Sequence, residues 1–127
     1  MKRILLCLMV ALFATGCLFA KNNDEKMNVM SYNIRYDNSG DKDNQWKFRR
    51  DFAADLVNFH EADVFGAQEV LNNQLNDLLD RLPEYAYVGV GREDGKTKGE
   101  YTPIFYRKDR FSVEKSGNFW LAEDINA

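Results

Sequence analysis

Residues 62–70, A-D-V-F-G-A-Q-E-V, form a short apolar run that turns polar at its carboxyl end, the pattern of a buried parallel strand. Helical patterns flank it on both sides. From Trp46 to about His60, Phe48, Phe52, Leu56 and Phe59 recur at steps of three and four with Ala53 and Val57 beside them, which predicts an amphipathic helix. Leu71, Leu75, Leu78, Leu79 and Leu82 mark a second helix, which Pro83 stops. Upstream, residues 27–36 alternate, with Met30, Tyr32, Ile34 and Tyr36 on one face and Val29, Ser31, Asn33 and Arg35 on the other. That is strand periodicity. Residues 37–46 are rich in Asp, Asn and Gly and read as a loop.

Beyond Pro83 the period changes to two. Residues 85–90 read as a strand, 92–99 (R-E-D-G-K-T-K-G) as a polar loop, 100–107 as a further strand, and 111–121 as one or two more with a turn near Ser116-Gly117. The order β-α-β-α followed by strands predicts an α/β fold with a mixed sheet and helices on one face. The other face is left apolar, with residues such as Val88, Val90, Ile104 and Tyr106 expected on it.

The chain of 127 residues is 45% hydrophobic and 29% charged, with 17 Lys+Arg against 20 Asp+Glu. These values describe one modest globular unit and exclude a disordered tail, a coiled coil and a collagen-like fibre. A nucleic-acid-binding module would concentrate basic charge on one face, whereas the signs here are evenly mixed. The two cysteines, Cys7 and Cys17, share one apolar stretch, so neither a disulfide scaffold nor a metal site is expected from them.

That stretch has the form of an export signal. Lys2 and Arg3 precede an apolar run at residues 4–13, shorter than the roughly 20 residues that span a bilayer. Ala14-Thr15-Gly16-Cys17 resembles the lipobox of bacterial lipoproteins, in which the cysteine becomes the acylated first residue. Residues 1–16 are therefore expected as a removed signal peptide, Cys17 as the lipidation site, and residues 17–26 as a polar tether. Ordinary cleavage after Ala20 is the alternative. The expected location is a membrane-anchored lipoprotein of the periplasm or cell surface, with secretion as second choice.

Asn33 and Glu69 each lie near the carboxyl end of a predicted strand, one β-α unit apart, where open α/β sheets bind ligands. An amide oxygen and a carboxylate are hard donors that suit Mg²⁺, which is commonly held through one or two carboxylates and several waters. The plainer readings are a polar strand end for Asn33 and a carboxylate at a helix start for Glu69.

Three segments occur in order: S-Y-N-I-R-Y-D at 31–37, G-A-Q-E-V at 66–70 and G-E-Y-T-P-I-F-Y-R at 99–107, with F-W-L-A-E at 119–123. They resemble the opening motifs of the endonuclease/exonuclease/phosphatase family, from about Met27 to the end of the chain. The resemblance implies a four-layer α/β/β/α sandwich, of which residues 27–127 would be a truncated N-terminal half, with divalent metal (Mg²⁺ or Mn²⁺) at one end of the sheets. Members of that family cleave phosphodiesters or phosphomonoesters in nucleic acids, nucleotides, inositol lipids and sphingomyelin. By position, Asn33 matches the family's first-strand Asn beside metal and scissile phosphate, and Glu69 its metal-binding Glu. Glu100 matches, more loosely, a carboxylate that orients a catalytic His. Arg92 is a candidate phosphate contact or else a solvated loop cation, and Gln68 reads as structural.

The family completes its site with an Asp-Asn pair that activates water and an Asp-His pair that engages the phosphate, and this sequence has neither. Its one histidine, His60, falls at the end of the first helix, where it reads as a dipole partner or a surface residue. The expectation is an exported metal-dependent phosphoester hydrolase, present here as an incomplete gene fragment that is inactive alone. The competing reading is a non-catalytic surface lipoprotein that binds a glycan or another ligand through Trp46, Tyr101 and Trp120, although strand aromatics more often fill cores. Negative charge disfavours long nucleic acid as a partner, so a phosphorylated small molecule or a lipid head group is expected, with the membrane engaged through the anchor.

Overall fold

The computed structural model describes residues 26–119. The leader, Cys17, most of the tether and Trp120 lie outside the described residues. Four strands, β1 (Val29–Asn33), β2 (Val64–Gln68), β3 (Tyr85–Val88) and β4 (Ile104–Arg107), and two helices, α1 (Trp46–Phe59) and α2 (Asn72–Arg81), follow one another as β1-α1-β2-α2-β3-β4. The sheet order is β1-β2-β4-β3. β1 and β2 pair in parallel with Val29 opposite Val64 and Asn33 opposite Gln68. β4 runs antiparallel to both β2 and β3. The sheet is therefore mixed, in an α/β fold.

Alternation sorts the side chains between two unlike faces. Phe65, Ala67, Tyr85 and Phe105 are buried on one face, joined by half-buried Met30, Tyr32 and Tyr87. The Phe65 and Phe105 rings stack with centroids 4.5 Å apart, and Tyr85 meets Phe65 edge-on. Leu75 and Leu78 of α2, and Leu82 just past it, complete this core with Trp46, Ala53, Ala54 and Val57 of α1. Among the described residues no helix lies on the opposite face. Val29 and Ile104 are exposed there, and Val64, Val88 and Tyr106 are half-buried. β2 is consequently buried on one face only, where its sequence predicts two.

Four further expectations need correction. α1 forms where the periodicity places it, but Phe48, Phe52 and Phe59 are 61%, 67% and 80% exposed, and the small residues beside them face the core. Polar cross-links to α2 set this rotation: Trp46 Nε1 donates to Asp77 Oδ2 at 2.8 Å, Arg50 also reaches Asp77, and Arg81 pairs with Asp51. The loop before α1 contains a 3-10 segment, Ser39–Asn44, whose first turn is closed by the Asn38 side chain accepting from the Gly40 N–H. The strand predicted from residue 100 begins only at Ile104, because Pro103 has no N–H to give a ladder; Tyr101 keeps a single bridge to Val70. Residues 111–119 form no strand. Among the described residues β1 and β3 each keep an open edge, but the segment pairs with neither and instead lines a concavity with Val64, Val88, Ile104 and Tyr106 on the uncovered sheet face.

Candidate active site

The parallel register puts Asn33 and Gln68 side by side at the carboxyl ends of β1 and β2, so the next residue after β2, Glu69, turns over the end of β1. Asn33 Nδ2 donates to Glu69 Oε1 at 2.8 Å. The Tyr36 N–H donates to Glu69 Oε2 at 3.2 Å, and the Arg35 N–H donates to Asn33 Oδ1 at 2.9 Å. The structure thus brings together the two residues that sequence spacing pairs. Asn33 is the main cause, with the Tyr36 N–H and the Arg35 cation adding to it, that holds the Glu69 carboxyl below the usual range.

Backbone strain marks the same spot. Arg35 and Glu69 both adopt left-handed backbone, at φ 61° and φ 60°. Such conformations cost a non-glycine residue on the order of 1–3 kcal/mol and persist where the surroundings over-determine them. Two side chains do so here. Gln74 of α2 is wholly buried; its Oε1 accepts from the Asp37 N–H at 3.0 Å and the Leu71 N–H at 3.1 Å, while its Nε2 donates to the Arg35 carbonyl at 2.8 Å. One amide therefore ties the loop after β1 to the loop after β2. Arg49 of α1 donates to the carbonyls of Ile34, Arg35 and Asn44. Farther out, Arg35 forms a two-pronged pair with Asp41, and Asn73 Nδ2 donates to Asp37 Oδ2 at 2.9 Å.

Gln74 and Arg49 are absent from the sequence reading. Gln74 has a signal that could have found it: it is a polar residue on the leucine stripe, three after Leu71 and four before Leu78. Arg49 carries none, since it looks like any helix-surface cation.

The remaining candidates sit elsewhere. Arg92 is exposed and pairs with Glu100 at 3.3 Å, within a loop that closes on itself through Gly91–Lys96, Glu93–Lys98 and Arg92–Glu100 backbone bonds. Neither side chain bonds to Asn33 or Glu69, and the Val70–Tyr101 bridge leaves Glu100 on the Leu71 side of that pairing. His60 is the exposed cap at the end of α1. Gln68 Nε2 bonds locally, to the Gly66 carbonyl and Ser31 Oγ. Trp46 and Tyr101 are buried, so neither presents a ring to a ligand.

Among the described residues no three His, Cys, Asp or Glu side chains gather as a metal-binding group. The donor set at Asn33 and Glu69 nevertheless fits a hard divalent cation. It offers one carboxylate, each of whose oxygens accepts a single hydrogen bond and retains a lone pair, and one amide oxygen, with water to complete the shell.

No family model matches the chain. An uncharacterized protein of Acanthamoeba polyphaga mimivirus is 27% identical over a segment covering 84% of this chain and 18% of its own length. Solved structures are nearer. The endonuclease/exonuclease/phosphatase from Bacteroides vulgatus is 52% identical at a TM-score of 0.73, covering 76% of this chain and 37% of that one. A Bacteroides thetaiotaomicron protein of the same family is 45% identical at a TM-score of 0.74, covering 76% and 36%. The mannosyl-6-phosphatase of Bacteroides thetaiotaomicron is 45% identical at a TM-score of 0.75, covering 77% and 38%. The chain spans less than two-fifths of the length of these structures. With the motifs, the mixed sheet and this level of identity in agreement, the chain belongs, over the N-terminal part of the fold, to the endonuclease/exonuclease/phosphatase family.

Proposed function

We propose that this chain carries the metal-holding part of a phosphoester hydrolase site, with Asn33 and Glu69 as the residues that hold Mg²⁺ or Mn²⁺. The observation that carries the reading is the Asn33–Glu69 hydrogen bond at the joined ends of two parallel strands, with the loops that follow those ends tied together by Gln74 and the first of them also by Arg49. A bound divalent ion would supply Lewis-acid polarisation of a phosphoryl oxygen and stabilise the leaving oxygen. Asn33 orients the carboxylate and is the main cause that favours its ionised form, with the Tyr36 N–H adding to it. Glu100 and Arg92, paired with each other, are left as a second-rank proposal for positioning and phosphate contact.

The substrate class proposed is a small phosphorylated molecule, and a sugar phosphate first, on the strength of the neighbour named as a mannosyl-6-phosphatase. Water activation and phosphate engagement, which the family resemblance assigns to Asp-Asn and Asp-His pairs, have no counterpart among these 127 residues. Export as a lipoprotein, with residues 1–16 as leader, Cys17 acylated and residues 17–26 as tether, is part of the same proposal.

Mn²⁺ binding to the purified chain tests the site, followed by electron paramagnetic resonance, with turnover of an aryl phosphate and a hexose phosphate in parallel. Glu69→Gln should weaken Mn²⁺ binding by about tenfold or more. The 127-residue chain should show no appreciable turnover, since lost acid-base and electrostatic contributions are each worth on the order of a hundredfold. Unchanged Mn²⁺ affinity in Glu69→Gln sinks the metal assignment; turnover abolished by that substitution sinks the claim of inactivity. For the anchor, Cys17→Ser should shift the chain from the membrane to a soluble or unprocessed pool.

A further inference from the structure

α1 has two apolar sides, and among the described residues only one has a partner. Trp46, Ala53, Ala54 and Val57 serve the core, so the phenylalanines at 48, 52 and 59 are not surplus core residues that have come loose. At 100° per residue the three lie within about 40° of one another, in a line about 17 Å long. Lys47 stands beside this line, with its Nζ 4.7 Å from the centre of the Phe48 ring. Exposed phenylalanines in such a row are unusual on a protein surface and mark a contact face.

Two observations say what covers it. The first is size: the three rings present roughly 400 Å² of apolar surface, half of the roughly 800 Å² per partner that a stable protein interface needs. A fluid apolar phase does not need a larger footprint, because it conforms to whatever is inserted. The second is where the chain joins the fold. Asn28 Nδ2 donates to the Glu61 carbonyl at 3.1 Å, and Met27, itself exposed, lines one concavity with His60, against whose ring Phe59 packs edge-on at 5.1 Å. The N-terminal segment therefore arrives at the Phe59 end of the row. Ten residues, 17–26, reach at most about 35 Å, twice the length of the row.

We propose that Phe48, Phe52 and Phe59 form a membrane-contact face that seats α1 on the lipid surface to which Cys17 tethers the chain. This rests on the anchor reading above. Tethering turns a weak interfacial contact into an intramolecular one, so three rings suffice where they would not hold a free protein on a bilayer. Of the charges along the row, Asp51 is paired with Arg81 and Lys47 is placed to meet lipid phosphate, while Asp55, exposed about 20° from Phe48 and without an ion pair among the described residues, sets the edge of the face. Seated this way, the molecule holds a fixed orientation relative to the bilayer.

The test uses the chain expressed with its own leader in a Cys7→Ala background and reconstituted into phosphatidylethanolamine/phosphatidylglycerol vesicles. An environment-sensitive fluorophore is placed through Asp55→Cys beside the row, or through Thr97→Cys in the distant polar loop as control. Doxyl-labelled lipid should quench the label at 55 several-fold more than the label at 97. Replacing all three phenylalanines by serine should bring the two to the same level while the protein stays vesicle-bound. Equal quenching at 55 and 97 in the parent chain, or no vesicle binding at all, overturns the proposal. So does a label at 55 already shielded from water in lipid-free Cys17→Ser chain, since another segment or a second copy would then occupy the row. If Cys17→Ser binds vesicles as fully as the parent, the anchor reading fails while the quenching ratio still decides the face.

Discussion

α1 and α2 look alike in sequence, each with a stripe of large apolar residues at steps of three and four, yet they use their stripes in opposite ways. The α2 leucines at 75 and 78 are wholly buried, whereas the α1 phenylalanines at 48, 52 and 59 are exposed. Periodicity identifies a helix and its apolar arc; it does not say which arc meets the sheet when a second set of small residues can pack more closely. Both helices also send one polar side chain to the loop after β1, Gln74 from the buried side of α2 and Arg49 from the flank of α1. Core and site are thus set by the same rotations.

The largest effect should separate the stripes themselves. Leu78→Ala removes a wholly buried side chain and should cost about 2–5 kcal/mol, while Phe52→Ser should stay within about 0.5 kcal/mol in urea unfolding. Comparable losses would mean that α1 is rotated relative to the structure described.

The polar members of the two helices come next. Gln74→Leu strands the Asp37 and Leu71 N–H groups and leaves the Arg35 carbonyl with Arg49 alone, at about 1–3 kcal/mol for a buried group left unpaired. It should also accelerate hydrogen exchange at the Tyr36 amide, which Gln74 does not touch, as the loop carrying it is released. Arg49→Met should do less, about 1 kcal/mol, because two of its carbonyl partners lie in exposed loop where water can replace it. A Tyr36 amide indifferent to both changes would separate the helices from the site.

The smallest effect is on acid stability. Glu69 and Asp63 are both held below the usual carboxylate range, Glu69 chiefly by Asn33 and Asp63 chiefly by the Asn28 N–H, with Arg110 adding to it. A carboxyl whose folded-state pKa is depressed contributes stability that is fully present above its unfolded-state value and is lost as pH falls through the folded-state value. The melting temperature should therefore decline as pH drops below about 4.5, the ordinary Glu range, and Glu69→Gln should decline less steeply over that window. An identical slope in the variant would show that the Asn33–Glu69 bond does not stabilise the folded chain.

Much of the architecture was legible from local pattern. The strands at 29–33, 64–68 and 85–88, both helices and the stop at Pro83 follow from periods of two and 3.6 and from proline's missing N–H, which are properties of neighbouring residues. Residues such as Ile104 and Tyr106 on the bare sheet face follow in the same way. Of the strand expected over 111–121, the described part, 111–119, pairs with neither open edge, β1 or β3: alternation marks a segment able to be a strand, and only the folded chain decides whether it meets an edge.

The pairing of Asn33 with Glu69 was legible as well, because both fall at strand ends one β-α unit apart and carry hard oxygen donors. What the sequence by itself determined is therefore the inventory: which segments are helix or strand, which residue types stand at their ends, and which family they resemble. Tertiary structure alone decided the rotation of α1, the separation of the Arg92–Glu100 pair from Asn33 and Glu69, and the clamp by Gln74 and Arg49. Each of these depends on hydrogen bonds or packing between residues about 8 to 39 positions apart, and such long-range partners are chosen only when the whole chain closes on itself.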